Sequence, residues 1–279
     1  MCGIAGLMTL DGTPADSTIL DALAEALTHR GPDSGGRYVA GDVGMVHTRL
    51  AIIDLETGDQ PLYGEGGLAL VANAEIYNHI ELRKSLGGET FATGSDCEIS
   101  LPLYRRHDLD YVNYLRGMYA IALHDPAHER LVLSRDPFGI KPLYYTATTW
   151  GLAFSSEPQA LVSAGLVVAE EYPHSRDEVL QLQFSTGRET PLAKIMRVLP
   201  GETLVVEGGR VVARRCLDAL PRGAPEVTEE NYALARLDAV MEDSVRLHQR
   251  ADVPYGMFLS GGIDSSALLA MMARVNETP

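Results

Sequence analysis

The chain opens with CGIAGLM at residues 2–8, an apolar run that follows the first methionine and ends at a polar turn. A short run of small and branched apolar residues is typical of a buried β-strand. Cys2 stands at its first position. If Met1 is removed, Cys2 carries a free α-amine with a reference pKa of roughly 7.7 to 8.0. A thiol nucleophile and its base would then share one residue.

Further apolar runs, separated by Gly, Asp and Pro turns, predict more strands beyond this one. They begin at Gly44, Leu68, Gly117, Arg130, Pro142 and Gly151. Apolar residues at helical spacing predict a helix over 17–29, capped by Asp16 or Ser17, and helices that start at Ile76 and Cys97. This order favours sheets that carry helices on their faces.

The sequence pattern changes near the end of the chain. From Thr203, the segments TLVVEGG and RVVARR predict a hairpin. A Pro/Gly-rich connector follows, then a helix capped by Thr228, a buried strand VPYGMFL from Val253, and a helix after SGGID. A strand, loop and helix in this order are typical of an α/β nucleotide-binding domain. We therefore predict a first domain at 1–217, a linker at 218–227, and the start of a second domain at 228–279.

Composition narrows the classes of partner. The 279 residues include 38 Asp and Glu against 23 Lys and Arg, a formal net charge of −15. Such a charge repels nucleic acid and anionic membrane surfaces, so neither is an expected partner. Three cysteines favour a reducing compartment over a disulfide framework. Because the N-terminus has no basic flank and no long apolar segment, we expect a cytoplasmic protein.

Taken alone, Cys2 is more often a small buried residue than a nucleophile. Six motifs change that balance, because their order and spacing over residues 1–215 resemble class II glutamine amidotransferases. The motifs are CGIAG at Cys2, RGPDSGG at Arg30, HTRLAIID at His47, NAEIYNHIELR at Asn73, GSDCE at Gly94 and RDPFGIKPLYY at Arg135. The resemblance implies an α+β fold, a four-layer α/β/β/α sandwich of the N-terminal-nucleophile type, with the N-terminus at the mouth of a glutamine pocket.

The same resemblance implies roles for individual residues. Cys2 is similar to the family's nucleophile, and Arg49 to the cation that pairs with the α-carboxylate of glutamine. Asp96 corresponds to the anion that faces the α-amine, with Glu75 as a second polar contact. The stretch after Arg49 lines the family's pocket, although core packing explains these side chains equally well: Leu50, Ile52 and Ile53. We expect no metal in this site.

Asn73 resembles the side-chain donor of an oxyanion hole, whose second donor is the next backbone amide. The family pattern has glycine at that second position, whereas this chain has Ala74. If the site requires a positive φ, alanine would cost roughly 1 to 2 kcal/mol there. His47 is assigned no role, because a lone histidine in a strand is more often structural.

SGGIDSS, residues 260–266, lies where glycine amides, serine hydroxyls and a helix N-terminus can converge on an anion. No Gly-x4-Gly-Lys-Ser/Thr motif occurs in the chain, and the segment resembles the pyrophosphate loop of ATP pyrophosphatases of the asparagine synthetase type. The resemblance implies ATP and Mg²⁺ as cofactors: Leu259 would lie near adenine, and Asp264 near a magnesium-bound pyrophosphate. The phosphates would contact Ser260, Gly261, Gly262, Ser265 and Ser266.

Together the resemblances imply that glutamine is hydrolysed through a Cys2 thioester to glutamate and ammonia. In a complete enzyme of this kind, ammonia would convert an ATP-activated aspartate to asparagine. One alternative is another carboxylate acceptor, including that of a β-lactam-forming relative. A second is a glutamine-binding or regulatory paralogue, truncated and without synthetase activity. The expected partners are glutamine, ATP and aspartate, and a homodimer is a candidate assembly.

Overall fold

The computed structural model describes residues 1–220 and 223–276, and it divides the chain into two compact units, Met1–Ala219 and Leu220–Pro279. The strands of the first unit are β1 Gly3–Thr9, β2 Ser34–Ala40, β3 Val43–Arg49, β4 Leu62–Tyr63, β5 Ala69–Ile76, β6 Gly117–Asp125, β7 Arg130–Arg135, β8 Tyr144–Ala147, β9 Gly151–Ser155, β10 Met196–Arg197, β11 Glu202–Glu207 and β12 Arg210–Cys216. Its helices are α1 Ser17–Ala26, α2 His79–Ser85, α3 Ser100–His107, α4 Pro158–Ser163 and α5 Pro173–Leu182. The second unit contains α6 Glu230–His248 and α7 Ile263–Val275.

The strands form two antiparallel sheets of six strands each. One sheet has the order β10-β8-β9-β1-β3-β2, so β1 lies inside it, between β9 and β3. The other has the order β12-β11-β7-β6-β5-β4. β1, which follows Cys2 directly, is therefore hydrogen-bonded to a neighbouring strand on each side.

Three apolar clusters separate four layers. The cluster between the sheets includes Ile4, Met45 and Leu133. A second cluster joins α1 and α4 to the β1 sheet, and a third joins α3 to the β6 sheet. The predicted α+β sandwich of two antiparallel sheets between helices is therefore confirmed.

Local signals explain most boundaries. Asp16 caps α1, because its carboxylate accepts the Thr18 N–H at 2.8 Å, as predicted. The α-helix ends at Ala26 and a 3₁₀ turn, Thr28–Arg30, completes the segment. The strand predicted from Gly44 is shorter than expected and ends at Arg49. The helix predicted from Ile76 begins only at His79, because Ile76 still belongs to β5 and donates its N–H to Asp96.

Two predictions for the second unit are wrong. Thr228 is not the cap of α6; the Glu229 side chain accepts the N–H groups of Asn231 and Tyr232 instead. VPYGMFL forms no strand, and Phe258 is fully exposed. A strand needs a neighbour to satisfy its backbone groups, and no other strand is present among the described residues of this unit. The predicted linker includes residues 221 and 222, which lie outside the described residues.

No helix among residues 1–220 and 223–276 has both the length and the apolar character needed to cross a bilayer.

Candidate active site

The Cys2 thiol lies immediately before β1, next to the residue that follows β3. The Leu50 N–H donates to Cys2 Sγ at 3.4 Å, and the Leu50 carbonyl oxygen lies 3.5 Å from the same sulfur. Burial raises the pKa of the Cys2 thiol above its ordinary value, and the main-chain bond with Leu50 opposes that rise. A neutral thiol of this kind needs a base within reach when it attacks a carbonyl.

A buried arginine fixes the backbone of Cys2. Arg30 Nε donates to the Cys2 carbonyl oxygen at 2.9 Å, and Arg30 Nη1 donates to Glu157 Oε1 at 2.6 Å. Glu157 is the residue before α4, so the contact links the N-terminus to the helical layer. The orientation of the thiol therefore depends on an ion pair as well as on the β1 ladder.

Arg49 ends β3 with only 6% of its surface exposed. Its Nη1 pairs with Asp59 Oδ1 at 2.8 Å, and its Nη2 donates to the carbonyl oxygens of Ile53, at 3.2 Å, and Asp54. A Cβ on Gly58 would lie 2.5 Å from Arg49 Nη2. The segment 53–59, which we call the arginine loop, thus encloses the guanidinium and requires glycine at position 58.

Two carboxyl groups face the same space. Asp96 is 4% exposed and accepts the Ile76 N–H at 2.6 Å. Burial raises the pKa of Asp96 to about 6, and burial together with the charge of Asp96 raises the pKa of Glu75 to about 7. Burial makes the ionised form of both carboxyl groups unfavourable. A ligand with a positive charge would stabilise that form, so it would be attracted to this site.

Asn73 and Ala74 provide two donors on β5. Asn73 is 1% exposed, and its Nδ2 has no hydrogen-bond partner among the described residues. The N–H groups of Ala72 and Ile76 leave one edge of β5, to Gln60 Oε1 and Asp96 Oδ2. Alternation along a strand directs the Ala74 N–H to that same edge, between these two side chains.

The backbone at Ala74 is ordinary strand, paired with Tyr119 across β5 and β6. It is absent from the residues with positive φ in the described part of the chain. The condition under which alanine would be costly is therefore not met, and Ala74 keeps its backbone donor without strain.

Most of the predicted glutamine-site residues line one cavity of about 30 Å³. Those that line it are Cys2, Arg49, Leu50, Ile52, Ile53, Ala74, Glu75 and Asp96. Asn73 is adjacent in β5 but is not among the lining residues. The sequence prediction missed Gly58, Gln60, Ala72, Ser95 and Cys97, which also line the cavity. Of these, Ser95 and Cys97 stand inside the GSDCE motif, whereas Gly58 and Gln60 lie outside the six motifs.

The predicted phosphate loop lies in the second unit. Gly261 has φ +80°, and the hydroxyls of Ser260 and Ser265 lie 3.1 Å apart. Gly262 is the N-cap residue of α7 and provides no side-chain cap, so the first amides of the 13-residue helix remain available to an anion. Asp264 stands in the first turn, Ser266 follows in α7, and Leu259 is exposed.

The loop is compatible with a phosphate group that brings its own metal. Within the described residues, no three His, Cys, Asp or Glu side chains are grouped to hold a metal ion. Mg²⁺ is commonly bound through one or two carboxylates and the phosphates of its nucleotide. A single acid, Asp264, fits that mode of binding.

Comparison with known proteins assigns two families along the chain. A glutamine amidotransferase domain family matches residues 1–216, and an asparagine synthase family matches residues 236–279. Asparagine synthetase [glutamine-hydrolyzing] 1 of Bacillus subtilis is 36% identical over 278 residues, covering 97% of this chain and 44% of that protein. Asparagine synthetase B of Escherichia coli is 34% identical over 279 residues, with coverages of 97% and 44%.

One relative is not named as an asparagine synthetase. It is the amidase chry2 of Gibberella zeae, which is 31% identical over 293 residues, covering 99% of this chain and 43% of that protein. The chain thus spans less than half the length of these relatives.

Solved structures support the fold alone. The glutamine phosphoribosylpyrophosphate amidotransferase of B. subtilis, complexed with ADP and GMP, superposes with a TM-score of 0.58 at 18% identity, covering 98% of this chain and 64% of that one. An allosteric regulatory enzyme of purine biosynthesis gives the same score and identity, with coverages of 100% and 64%. From the family match over residues 1–216, the chain belongs to the glutamine amidotransferase domain family.

Proposed function

We propose that this chain hydrolyses glutamine and is the glutamine-hydrolysing part of an asparagine synthetase-like enzyme. One observation carries the proposal: the thiol of Cys2, the buried Arg49, the buried Asp96 and the half-buried Glu75 surround one cavity. Arg49 complements the α-carboxylate of an amino acid, while Glu75 and Asp96 complement its ammonium group. A zwitterionic ligand fixed at both charges would present its side-chain amide to Cys2.

In the proposed reaction, the Cys2 sulfur attacks the carboxamide carbon as the thiol proton moves to the α-amine exposed by removal of Met1. The Asn73 side chain and the Ala74 N–H donate to the oxygen that becomes negative. The carbon–nitrogen bond breaks, and the nitrogen leaves as ammonia with that proton. Water then cleaves the thioester, which releases glutamate and restores the thiol.

The second unit extends the proposal to a synthetase. We assign residues 1–217 to the glutaminase domain, 218–227 to a linker and 228–279 to the start of the synthetase domain. Bound ATP with Mg²⁺ would supply the activation of an acceptor carboxylate, aspartate in the asparagine synthetases. The residues available to hold its phosphates are those named above in the Ser260–Ser266 segment. The alternative is another carboxylate acceptor, because one relative carries the name of an amidase rather than of an asparagine synthetase.

The rival proposal is a glutamine-binding or regulatory module without catalysis. The observation in its favour is the cavity of about 30 Å³, which must widen before an amino acid enters. Binding without hydrolysis would separate this rival from the glutaminase.

The test is to incubate the purified chain with glutamine, confirm removal of Met1 by intact mass, and measure glutamate release. Cys2→Ala is the test variant, and Cys216→Ala, at an exposed thiol, is its control. We expect Cys2→Ala to abolish release and Cys216→Ala to retain it. Glutamine binding without release, by the processed protein, would favour the regulatory module. Absence of binding would reject both proposals.

A further inference from the structure

The carboxylate of Asp59 forms an ion pair with Arg49, at 2.8 Å between Oδ1 and Nη1. Its Oδ1 also accepts the Ser34 hydroxyl at 2.7 Å. The two partners of the pair differ in burial, since the side chain of Arg49 is 7% exposed and that of Asp59 is 66% exposed. The arginine is therefore fixed inside the protein, while the aspartate reaches it from the surface.

Arg49 does not depend on Asp59 for its orientation. The carbonyl oxygens of Ile53 and Asp54 accept from Nη2, and Gly58 packs against the same nitrogen. These contacts come from the backbone of the arginine loop, and they hold one side of the guanidinium without neutralising its charge. The carboxylate of Asp59 instead neutralises the group that would recognise a ligand carboxylate.

We propose that Asp59 competes with the α-carboxylate of glutamine for Arg49, and thereby sets the glutamine concentration at which the pocket fills. This inference rests on the proposed function. Two carboxylates at one guanidinium repel each other, so binding of one favours departure of the other. Because Asp59 is largely exposed, water can solvate it as it leaves.

The arrangement of the arginine loop supports this exchange. The neighbours of Asp59 in the chain, Gly58 and Gln60, both line the small cavity. Movement of Asp59 away from Arg49 would therefore occur at the wall of the cavity that glutamine must widen. The pocket would open at the same place where its arginine becomes free.

The experiment compares glutamine hydrolysis by the full chain and by Asp59→Asn, which keeps the size of the side chain and removes its charge. We expect KM for glutamine to fall by roughly two- to fivefold, the effect of an ion pair with one exposed partner, with kcat unchanged. Ser34→Ala should shift KM in the same direction by less, because it removes one contact that holds Asp59. Asp21→Asn is the matched control, because Asp21 is 70% exposed and pairs with Arg37 on the surface.

An unchanged or raised KM in Asp59→Asn would overturn the inference, since a residue that only positions Arg49 would raise KM when its charge is lost. If the unaltered chain releases no glutamate, the same comparison is made by calorimetric titration with glutamine. Tighter binding to Asp59→Asn would then support the competition while hydrolysis itself is rejected. Failure of glutamine to bind either protein would overturn both proposals.

Discussion

Glu75 and Asp96 give the pocket its dependence on pH. Their pKa values, about 7 and about 6, are raised above the ordinary carboxyl range, chiefly by burial. Both must be ionised to attract an ammonium group, and that condition is met above pH 7. As pH falls through 7 and then 6, the two groups take up protons and the attraction is lost. The pair titrates as a unit, so the two inflections belong to both residues.

We therefore predict that kcat/KM for glutamine is highest near pH 8 and falls as pH decreases through 7 and 6. The measurement is glutamate release at subsaturating glutamine between pH 5.5 and 8.5, with a stability check at each pH. Glu75→Gln should lower kcat/KM at pH 8 and leave a single inflection, because one carboxyl group then remains. A profile that is flat between pH 8 and 6 would contradict the assignment of these carboxyl groups to the ammonium of the substrate.

The extended backbone at Ala74 leads to a second prediction. Because no positive φ is present there, Ala74→Gly should not increase kcat, although glycine is the more usual residue in the family pattern. It should lower the free energy of unfolding by about 0.5–1 kcal/mol, the cost of glycine inside a regular element. Urea unfolding and steady-state kinetics measure the two effects. Ala213→Gly, on β12 away from the pocket, is the control, and a clear rise in kcat only for Ala74→Gly would refute the prediction.

At the scale of structural elements, the arginine loop leaves no room for a side chain at position 58. A Cβ at position 58 would meet Arg49 Nη2 at 2.5 Å and the Asp54 carbonyl oxygen at 2.7 Å. We predict that Gly58→Ala displaces the guanidinium and raises KM for glutamine by about tenfold or more, with a smaller effect on kcat. Gly87→Ala is the control, because a Cβ there meets only the Lys84 carbonyl oxygen, at 4.0 Å. Equal KM values for Gly58→Ala and Gly87→Ala would show that the loop accommodates the added methyl group.

The elements that the sequence predicted well are those with a strong apolar pattern. β1, β5, β6 and β7 are almost continuous buried runs, and α1 has both a cap and a buried stripe. β2 was missed because SGGRYVA is an edge strand that alternates between half-buried and exposed residues and begins with two glycines after its serine. VPYGMFL was misjudged because its apolar residues predict burial, whereas burial requires partner strands that are absent from the described residues of its unit.

For the pocket, the sequence motifs indicated the charged groups but not the contacts that hold them. Arg49 stands in a recognisable motif, whereas its contacts with the carbonyls of Ile53 and Asp54 use backbone atoms, which leave no pattern in the sequence. Asp59 lies ten residues after Arg49 in the sequence, and the two side chains meet only because the arginine loop folds back. The Ala74 amide likewise became interpretable only when the strand register showed to which edge it points.

At the scale of the whole molecule, all three apolar clusters that separate the layers lie within the first unit. We predict that removal of residues 220–279 leaves the main thermal unfolding transition within about 2–4 °C of its original Tm, because the loss is expected to stay below about 1 kcal/mol. Glutamate release should also be retained. Circular dichroism against temperature and the release assay test both statements.

The control for this truncation ends the chain after Gly201, which removes β11 and β12. β11 lies between β12 and β7 and buries Leu204 and Val206 completely. This shorter chain should lose its cooperative transition. If the chain that ends at Ala219 behaves in the same way, residues beyond the first unit are needed for its stability.

The three thiols lie at three depths in the folded protein. Cys216 is exposed on β12, Cys2 is partly buried at the cavity, and Cys97 is buried with 4% of its surface exposed, with a pKa that burial raises well above its ordinary value. Alkylation requires both access and a thiolate, so the rates should follow this order. With one labelling reagent and one mass spectrum, Cys216 would report the total protein, Cys2 the occupancy of the pocket, and Cys97 the unfolded fraction. The three cysteines together would therefore measure the amount, the ligand occupancy and the folded state of a purified sample in one experiment.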